Sequence, residues 1–346
     1  HCRLSFDKEK NAILFSAFTI RKKKEITVDI IEAQIIDQCV LENEWFYING
    51  EVDEVNSLLS ELNIQENGII SFKQYLSIIG LVANEGLSFV ENSVDTDAVF
   101  SLPLSTTVIP SAVHANLFEY QRIGFSWMKY MLQENCGCIL GDEMGLGKTL
   151  QVIAVLSDMK EHHRLPALVI APVSLLENWK RECGKFAPDL DVFVHHGALR
   201  TGRFQELIAH DVVVISYNTA ISDLSMIKMH KWALVVVDEA QNIKNYKSER
   251  AKAIKQIPRA GSIAVSGTPF ENHITDIWSL VDFTIPGYLG SLSQYSRFVS
   301  DDVNGAAIVE PLLSPIMIRR RVKDVASDLP EKVIIPQPIT MSDEEA

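Results

Sequence analysis

The sequence predicts an α/β fold, a doubly wound and mostly parallel sheet preceded by a small α+β domain. Three observations lead there. From about Asn116 onward, short apolar runs alternate with amphipathic stretches, the texture of strands covered by helices on both faces. The first hundred residues read differently, as two β-branched runs followed by apolar positions at helical spacing. The length of 346 residues and 47% hydrophobic content suffice for two domains with sizeable cores.

In the leading stretch, residues 13–20 and 26–30 suit strands, and Arg21-Lys22-Lys23-Lys24 between them suits the turn of a hairpin. Val52, Val55, Leu58, Leu59 and Leu62 recur at helical spacing. Asn67-Gly68 breaks that pattern before a second apolar helix around Tyr75 to Leu81. Residues 93–115, rich in Ser, Thr and Val with isolated Pro103 and Pro110, have no period and read as a linker. The expected organisation is therefore a small α+β accessory domain over 1–92, a linker over 93–115 and a doubly wound lobe over 116–310, with 311–346 following it.

In the lobe, the strand candidates are Cys138-Ile139-Leu140, Ala167-Leu168-Val169-Ile170, Val212-Val213-Val214-Ile215, Leu234-Val235-Val236-Val237 and Ile263-Ala264-Val265. Helices are expected over 149–160, 173–183 and 246–256.

Charge and cysteine usage narrow the setting. A net charge of −13 argues against a uniformly basic nucleic-acid binder, so any DNA contact must be local. Residues 1–115 carry 8 Lys and Arg against 17 Asp and Glu, so most of the imbalance lies in the leading segment. The five cysteines are odd in number and have no companion ligands at metal spacing, which predicts reduced and mostly buried thiols. No membrane-length apolar run or secretory leader is visible, and a cytosolic or nuclear setting is expected. The chain starts without Met and ends on a polar run, reading as a piece of a longer protein. His162-His163 and His195-His196 form no ligand set and are expected at the surface.

Gly141-Asp142-Glu143-Met144-Gly145-Leu146-Gly147-Lys148-Thr149 follows one strand and opens a helix, the setting of a phosphate-cradling loop. Its glycines let backbone amides approach phosphate, Lys148 would reach the β and γ groups, and Thr149 would hold Mg²⁺. The first position of the strict pattern is Asp142, with the glycine one residue earlier. Leu234-Val235-Val236-Val237 delivers Asp238-Glu239-Ala240-Gln241 at a strand end. Asp238 would hold the metal and Glu239 would polarise the attacking water. Ser266-Gly267-Thr268-Pro269-Phe270-Glu271-Asn272 supplies small hydroxyls after a third strand.

In this order, the three segments resemble motifs I, II and III of the SWI/SNF-like family of DNA-dependent ATPases, whose lobes are RecA-like. Leu117, Tyr120, Gln121, Gly124 and Trp127 resemble its adenine-side motif, with Phe118 and Glu119 departing from the usual pair. The segment from Ile170 through Pro172 and Ser174 to Asn178-Trp179 resembles motif Ia, and Val214-Ile215-Ser216-Tyr217 resembles motif Ib. Residues 276–290, Ile316-Met317-Ile318-Arg319-Arg320 and Leu329-Pro330-Glu331-Lys332 resemble the way out of the first lobe. The likeness spans about residues 116–340.

The resemblance implies an ATP- and Mg²⁺-dependent motor, monomeric, tracking along one strand of duplex DNA. ATP would contact Gln121, Asp142, Met144, Gly145, Leu146, Gly147, Lys148, Thr149 and Leu150, and the catalytic set would be Lys148, Asp238, Glu239 and Gln241. Mg²⁺ would sit on Thr149 and Asp238. DNA would meet Pro172, Ser174, Ser216, Tyr217 and Asn272, and Ser266 and Thr268 would couple hydrolysis to movement. Trp179, on the apolar face of its helix, is read as core rather than as a stacking surface. For Arg319-Arg320-Arg321 with Lys323, DNA contact, bracing between lobes and a solvated helix face all remain open.

Such motors need a second lobe that supplies arginine fingers, and without one hydrolysis by this stretch is expected to be weak. Members of the family slide nucleosomes, strip proteins from DNA, recycle RNA polymerase or serve antiviral defence. The Asp-Glu-Ala-Gln-Asn-Ile-Lys-Asn run looks more like prokaryotic members, implying cytoplasm and nucleoid, or the nucleus in a eukaryote. Two other readings stand beside the motor. One is a nucleotide-gated binding module whose acidic leading domain recruits a protein or folds back on the DNA groove; the other is an RNA-unwinding relative.

Overall fold

A computed structural model describes residues 1–41, 44–48, 50–94, 108–268 and 274–325. Residues 95–107 of the linker, Pro269 to Asn272 of the third motif, and Leu329-Pro330-Glu331-Lys332 fall outside the described residues.

The leading unit is built on β1 (Cys2–Asp7), β2 (Ala12–Arg21) and β3 (Lys24–Thr27), an antiparallel meander. The hairpin expected across the basic turn is present. Lys22 and Lys23 both take left-handed backbone, the conformation a two-residue hairpin turn demands. Two small hairpins follow: β4 (Ile30–Ile31) with β5 (Gln34–Ile35), and β6 (Gln38–Leu41) with β7 (Glu44–Tyr47). Helix α1 (Val52–Glu61) buries Val55, Leu58 and Leu59. Strand β8 (Gly68–Ile70) then pairs with β2.

Helix α2 (Phe72–Glu85) opens with a capping box in which Ser71 and Gln74 satisfy each other's backbone N–H, and it closes on left-handed Gly86. Strand β9 (Val90–Asn92) returns to lie parallel to β1.

The lobe begins with helix α3 (Glu119–Gln133) and, among the described residues, carries a sheet of seven parallel strands. They are β10 (Cys138–Leu140), β11 (Ala167–Ala171), β12 (Val192–His195), β13 (Val212–Ser216), β14 (Trp232–Asp238), β15 (Arg259–Val265) and β16 (Met317–Ile318). Their order is β12-β13-β11-β14-β15-β10-β16. Every residue of β10, β11 and β13 is buried, as expected of uninterrupted apolar runs covered on both faces.

Helices α4 (Lys148–Glu161), α5 (Leu176–Phe186), α6 (Tyr217–Ser222), α7 (Glu249–Lys255), α8 (Ile274–Thr284) and α9 (Val303–Leu313) lie along the connections. Among the described residues no helix is long and apolar enough to cross a membrane.

Three differences from the sequence reading stand out. Strands β12 and β16 had no counterpart in it, because Val192–His195 is short and mixed and Met317–Ile318 is only two residues long. Helix α9 runs across position 310, and β16 extends the lobe's sheet beside β10. His195 is fully buried and not at the surface: its Nε2 lies 2.8 Å from Asp223 Oδ2, because β12 points it inward. The thiols of Cys2, Cys136, Cys138 and Cys183 are free and buried, as expected.

Candidate nucleotide site

The site forms at the carboxyl edge of three neighbouring strands, β10, β15 and β14. Their register aligns Leu140 with Val265 and Val265 with Asp238, so the segments that follow leave the sheet at one level. Parallel pairing alone brings together the phosphate loop, Ser266-Gly267-Thr268 and the acidic pair.

Residues 141–147 form the loop, and helix α4 starts at Lys148. Gly145 and Gly147 have φ of 92° and 71°, a region costly for other residues. A side chain at 147 would also lie 2.5 Å from Gln121 Nε2. The turn therefore aims amides at a helix N-terminus, where the backbone field favours an anion.

Lys148 Nζ donates to the carbonyls of Asp142, at 2.9 Å, and Glu143, at 3.3 Å. Burial lowers its pKa, opposed by the nearby charges of Glu239, Asp142 and Asp238. A Cβ on Gly267 would stand 3.6 Å from the same Nζ, so the third motif closes against the lysine.

Asp238 is 8% exposed and doubly held: Oδ2 accepts from the Trp179 indole N–H at 2.8 Å and Oδ1 from the Glu239 amide at 2.9 Å. Burial raises its pKa, and those two hydrogen bonds oppose the rise. Glu239, half-buried, takes left-handed backbone with φ of 50°. This strain turns the chain sharply off β14. Its carboxylate accepts from Gln241 Nε2 at 2.8 Å, Gln241 Oε1 accepts from Ser266 Oγ at 2.9 Å, and Ser266 Oγ accepts from the Thr268 amide at 3.1 Å. Glu239, Gln241, Ser266 and Thr268 thus form one hydrogen-bonded chain between the second and third motifs.

Gln121 braces the loop. Its Oε1 accepts from the Phe118 amide and its Nε2 donates to the Leu146 carbonyl at 3.2 Å. Met144 is exposed, Leu146 is buried, and Thr149 and Leu150 are half-buried at the start of α4.

Four of these side chains are taken up by partners within the lobe. Asp142 is fully buried and its carboxylate is bound to Arg320 and Gln151, so its side chain holds the loop's root. Arg320, in turn, is neither a solvated face nor free to meet DNA. The side chains of Ser216 and Tyr217 are both buried and used internally. Ser216 caps α6, and the Tyr217 hydroxyl donates to the Asp238 carbonyl at 2.6 Å. Pro172 is half-buried and Ser174 exposed beyond β11, while Asn272 lies outside the described residues. Trp179 is core, as read, and its polar edge also fixes Asp238, a role its apolar helical spacing did not reveal.

A model of the SNF2-related domain matches residues 120–346. The chain belongs to the SNF2-related family. A Bacillus subtilis (strain 168) protein named as an ATP-dependent helicase/translocase, YwqA, is 39% identical over 244 residues, covering 66% of this chain and 26% of that protein. An uncharacterised ATP-dependent helicase of Mycoplasma genitalium is 31% identical over 324 residues, covering 88% of this chain and 31% of that protein. This second match reaches beyond the lobe into the leading unit. Among solved structures, the Sulfolobus solfataricus SWI2/SNF2 ATPase core in complex with dsDNA superimposes with a TM-score of 0.60 at 39% identity, over 65% of this chain and 49% of that one. The SNF2 chain described here thus has the RecA-like core fold, and it spans about a quarter to a third of these two curated relatives.

Proposed function

We propose that this chain carries the nucleotide-binding lobe of an ATP-driven motor that moves along double-stranded DNA. The observation that supports it most is the convergence of Lys148, Gly267, Asp238 and Glu239 at one sheet edge. The residues fit Mg²⁺-ATP: two left-handed glycines shape a cradle, Lys148 supplies a cation, and Thr149 and Asp238 offer hard oxygen ligands. Bound there, Mg²⁺-ATP supplies the anhydride whose hydrolysis drives movement.

Lys148 would neutralise phosphate charge, Thr149 and Asp238 would hold the metal, and Glu239 would take a proton from water, with Gln241 orienting its carboxylate. Gln241 and Ser266 carry that change to Thr268. Pro172 and Ser174, beyond the end of β11, meet the DNA backbone. The protein works as a monomer in a prokaryotic cytoplasm, at the nucleoid, on protein–DNA complexes or in defence.

Measuring ATP hydrolysis by the full-length protein with and without duplex DNA, single-stranded DNA and RNA tests this. Duplex DNA is expected to stimulate most and Lys148→Ala to abolish the activity; undiminished turnover in that variant contradicts the reading.

A second role belongs to residues 1–92. Trp45 and Tyr47 are 73% and 68% exposed on an acidic unit, which favours a protein partner or an autoinhibitory contact. Replacing both with Ser is expected to abolish partner capture or to raise basal ATPase; an unchanged result in both assays rejects the idea.

A further inference from the structure

The geometry points to Arg320 as a positioning residue that couples nucleotide binding at the phosphate loop to the order of the segment at 318–322, by which the chain leaves the lobe. This inference rests on the reading of the loop as an ATP site.

Asp142 is fully buried, and an ionised carboxylate in such a place needs a partner. The partner comes from the far end of the lobe. Arg320 Nε donates to Asp142 Oδ1 at 2.8 Å, and one terminal nitrogen donates to Asp142 Oδ2 and to Gln151 Oε1, the latter at 2.9 Å. Its other terminal nitrogen donates to the Tyr120 carbonyl, and the guanidinium lies 5.3 Å from the centre of the Tyr120 ring. One guanidinium thus touches the phosphate loop and both helices beside it, α3 and α4. Only a planar fork of donors reaches all of these at once.

The backbone repeats the connection. The pairing of β10 with β16 continues past both strands: the Gly141 amide donates to the Ile318 carbonyl at 2.7 Å and the Glu143 amide to the Arg320 carbonyl at 2.9 Å. The Val322 amide then donates to Glu143 Oε2 at 2.7 Å. Loop residues 141–143 are therefore zipped to residues 318–322 from both sides.

Lys148 gives this arrangement a dependence on nucleotide. Its ammonium holds the carbonyls of Asp142 and Glu143, the same two residues that carry Arg320 and Val322. To reach β and γ phosphates the ammonium must turn from those carbonyls, which changes what anchors the start of the loop. The zipped segment feels the change directly. By linkage, whatever shifts residues 318–322 alters affinity for ATP by the same factor.

Hydrogen exchange on the full chain, with and without a non-hydrolysable Mg²⁺-ATP analogue, tests the coupling alongside a direct titration of that analogue. In the wild type, the analogue is expected to change exchange at the amides of Glu143, Arg320 and Val322. Arg320→Gln is expected to weaken the analogue by roughly 10-fold and to abolish its effect on Val322, with Arg320→Lys recovering only part. Glu143 is exposed, so Glu143→Ala spares the buried pair; it is expected to remove the response at Val322 while weakening the analogue less than Arg320→Gln does. A wild type that binds no nucleotide overturns the ATP-site reading and this inference together. Normal binding with exchange at 318–322 indifferent to nucleotide, or an Arg320→Gln variant that folds and binds as tightly as the wild type, overturns the coupling alone.

Discussion

Asp238 owes its orientation to a tryptophan from another helix, and that dependence can be measured. Trp179→Phe keeps an aromatic ring in the core but removes the donor to Oδ2 and leaves a cavity where the second ring was. Loss of a hydrogen bond to a charged acceptor is expected to cost about 1.5–3 kcal/mol in urea denaturation. Tyr217→Phe removes a donor to the Asp238 carbonyl, at a cost of about 1 kcal/mol. Because that hydroxyl is buried, DNA affinity is expected to stay at the wild-type value in a binding titration.

Asp223 supplies the pH dependence. Burial pushes its pKa up, but hydrogen bonds from Arg200 and His195 outweigh this and hold it below the ordinary carboxylate value. A lowered folded-state pKa stabilises the fold above about pH 3.9 and loses that contribution as pH falls through the folded value. Asp223→Asn is therefore expected to be less stable than wild type at pH 7. The gap should close in denaturation series taken to pH 3 and below.

At the level of elements, the contact between α3 and α4 decides how the loop is held. A Cβ on Gly124 would lie 2.0 Å from Gln151 Oε1 and 2.8 Å from an Arg320 guanidinium nitrogen. Those groups are not free to move, because Gln151 Nε2 donates to Asp142 and Arg320 closes the buried pair. Gly124→Ala is thus expected to destabilise by about 1–3 kcal/mol, despite alanine's better helix propensity, and to weaken nucleotide binding in the same titration. The sequence marked Gly124 only as part of a motif. Its physical reason is the approach of a side chain from a neighbouring helix, which no local pattern encodes.

In the whole molecule, the leading unit is packed onto the lobe. The Phe72 and Tyr130 rings meet at a tilt of 57° with centroids 5.6 Å apart, the Phe72 amide donates to Glu134, and Asn84 Nδ2 donates to the Tyr288 carbonyl at 3.2 Å. Gly80 sits so close to Tyr288 that a Cβ there would be 2.8 Å from its carbonyl. One thermal transition, seen alike by probes in both units, is the expected behaviour. Phe72→Ala, a large-to-small change in a buried site, is expected to cost about 3–5 kcal/mol and to lower that transition as a whole; two separated transitions in the wild type would contradict the packing.

Composition, apolar runs and motif spacing were enough to determine the parallel sheet, its central strands, the phosphate loop and the acidic pair, because each is a local pattern of burial period and turn chemistry. Tertiary structure alone decided that Trp179 and Tyr217 serve Asp238, that His195 is buried, that Arg320 closes on Asp142, and that Met317–Ile318 joins the sheet. Each of those depends on which distant segments the fold brings within hydrogen-bonding distance, and a separation of 178 residues between Asp142 and Arg320 leaves no periodic trace along the chain.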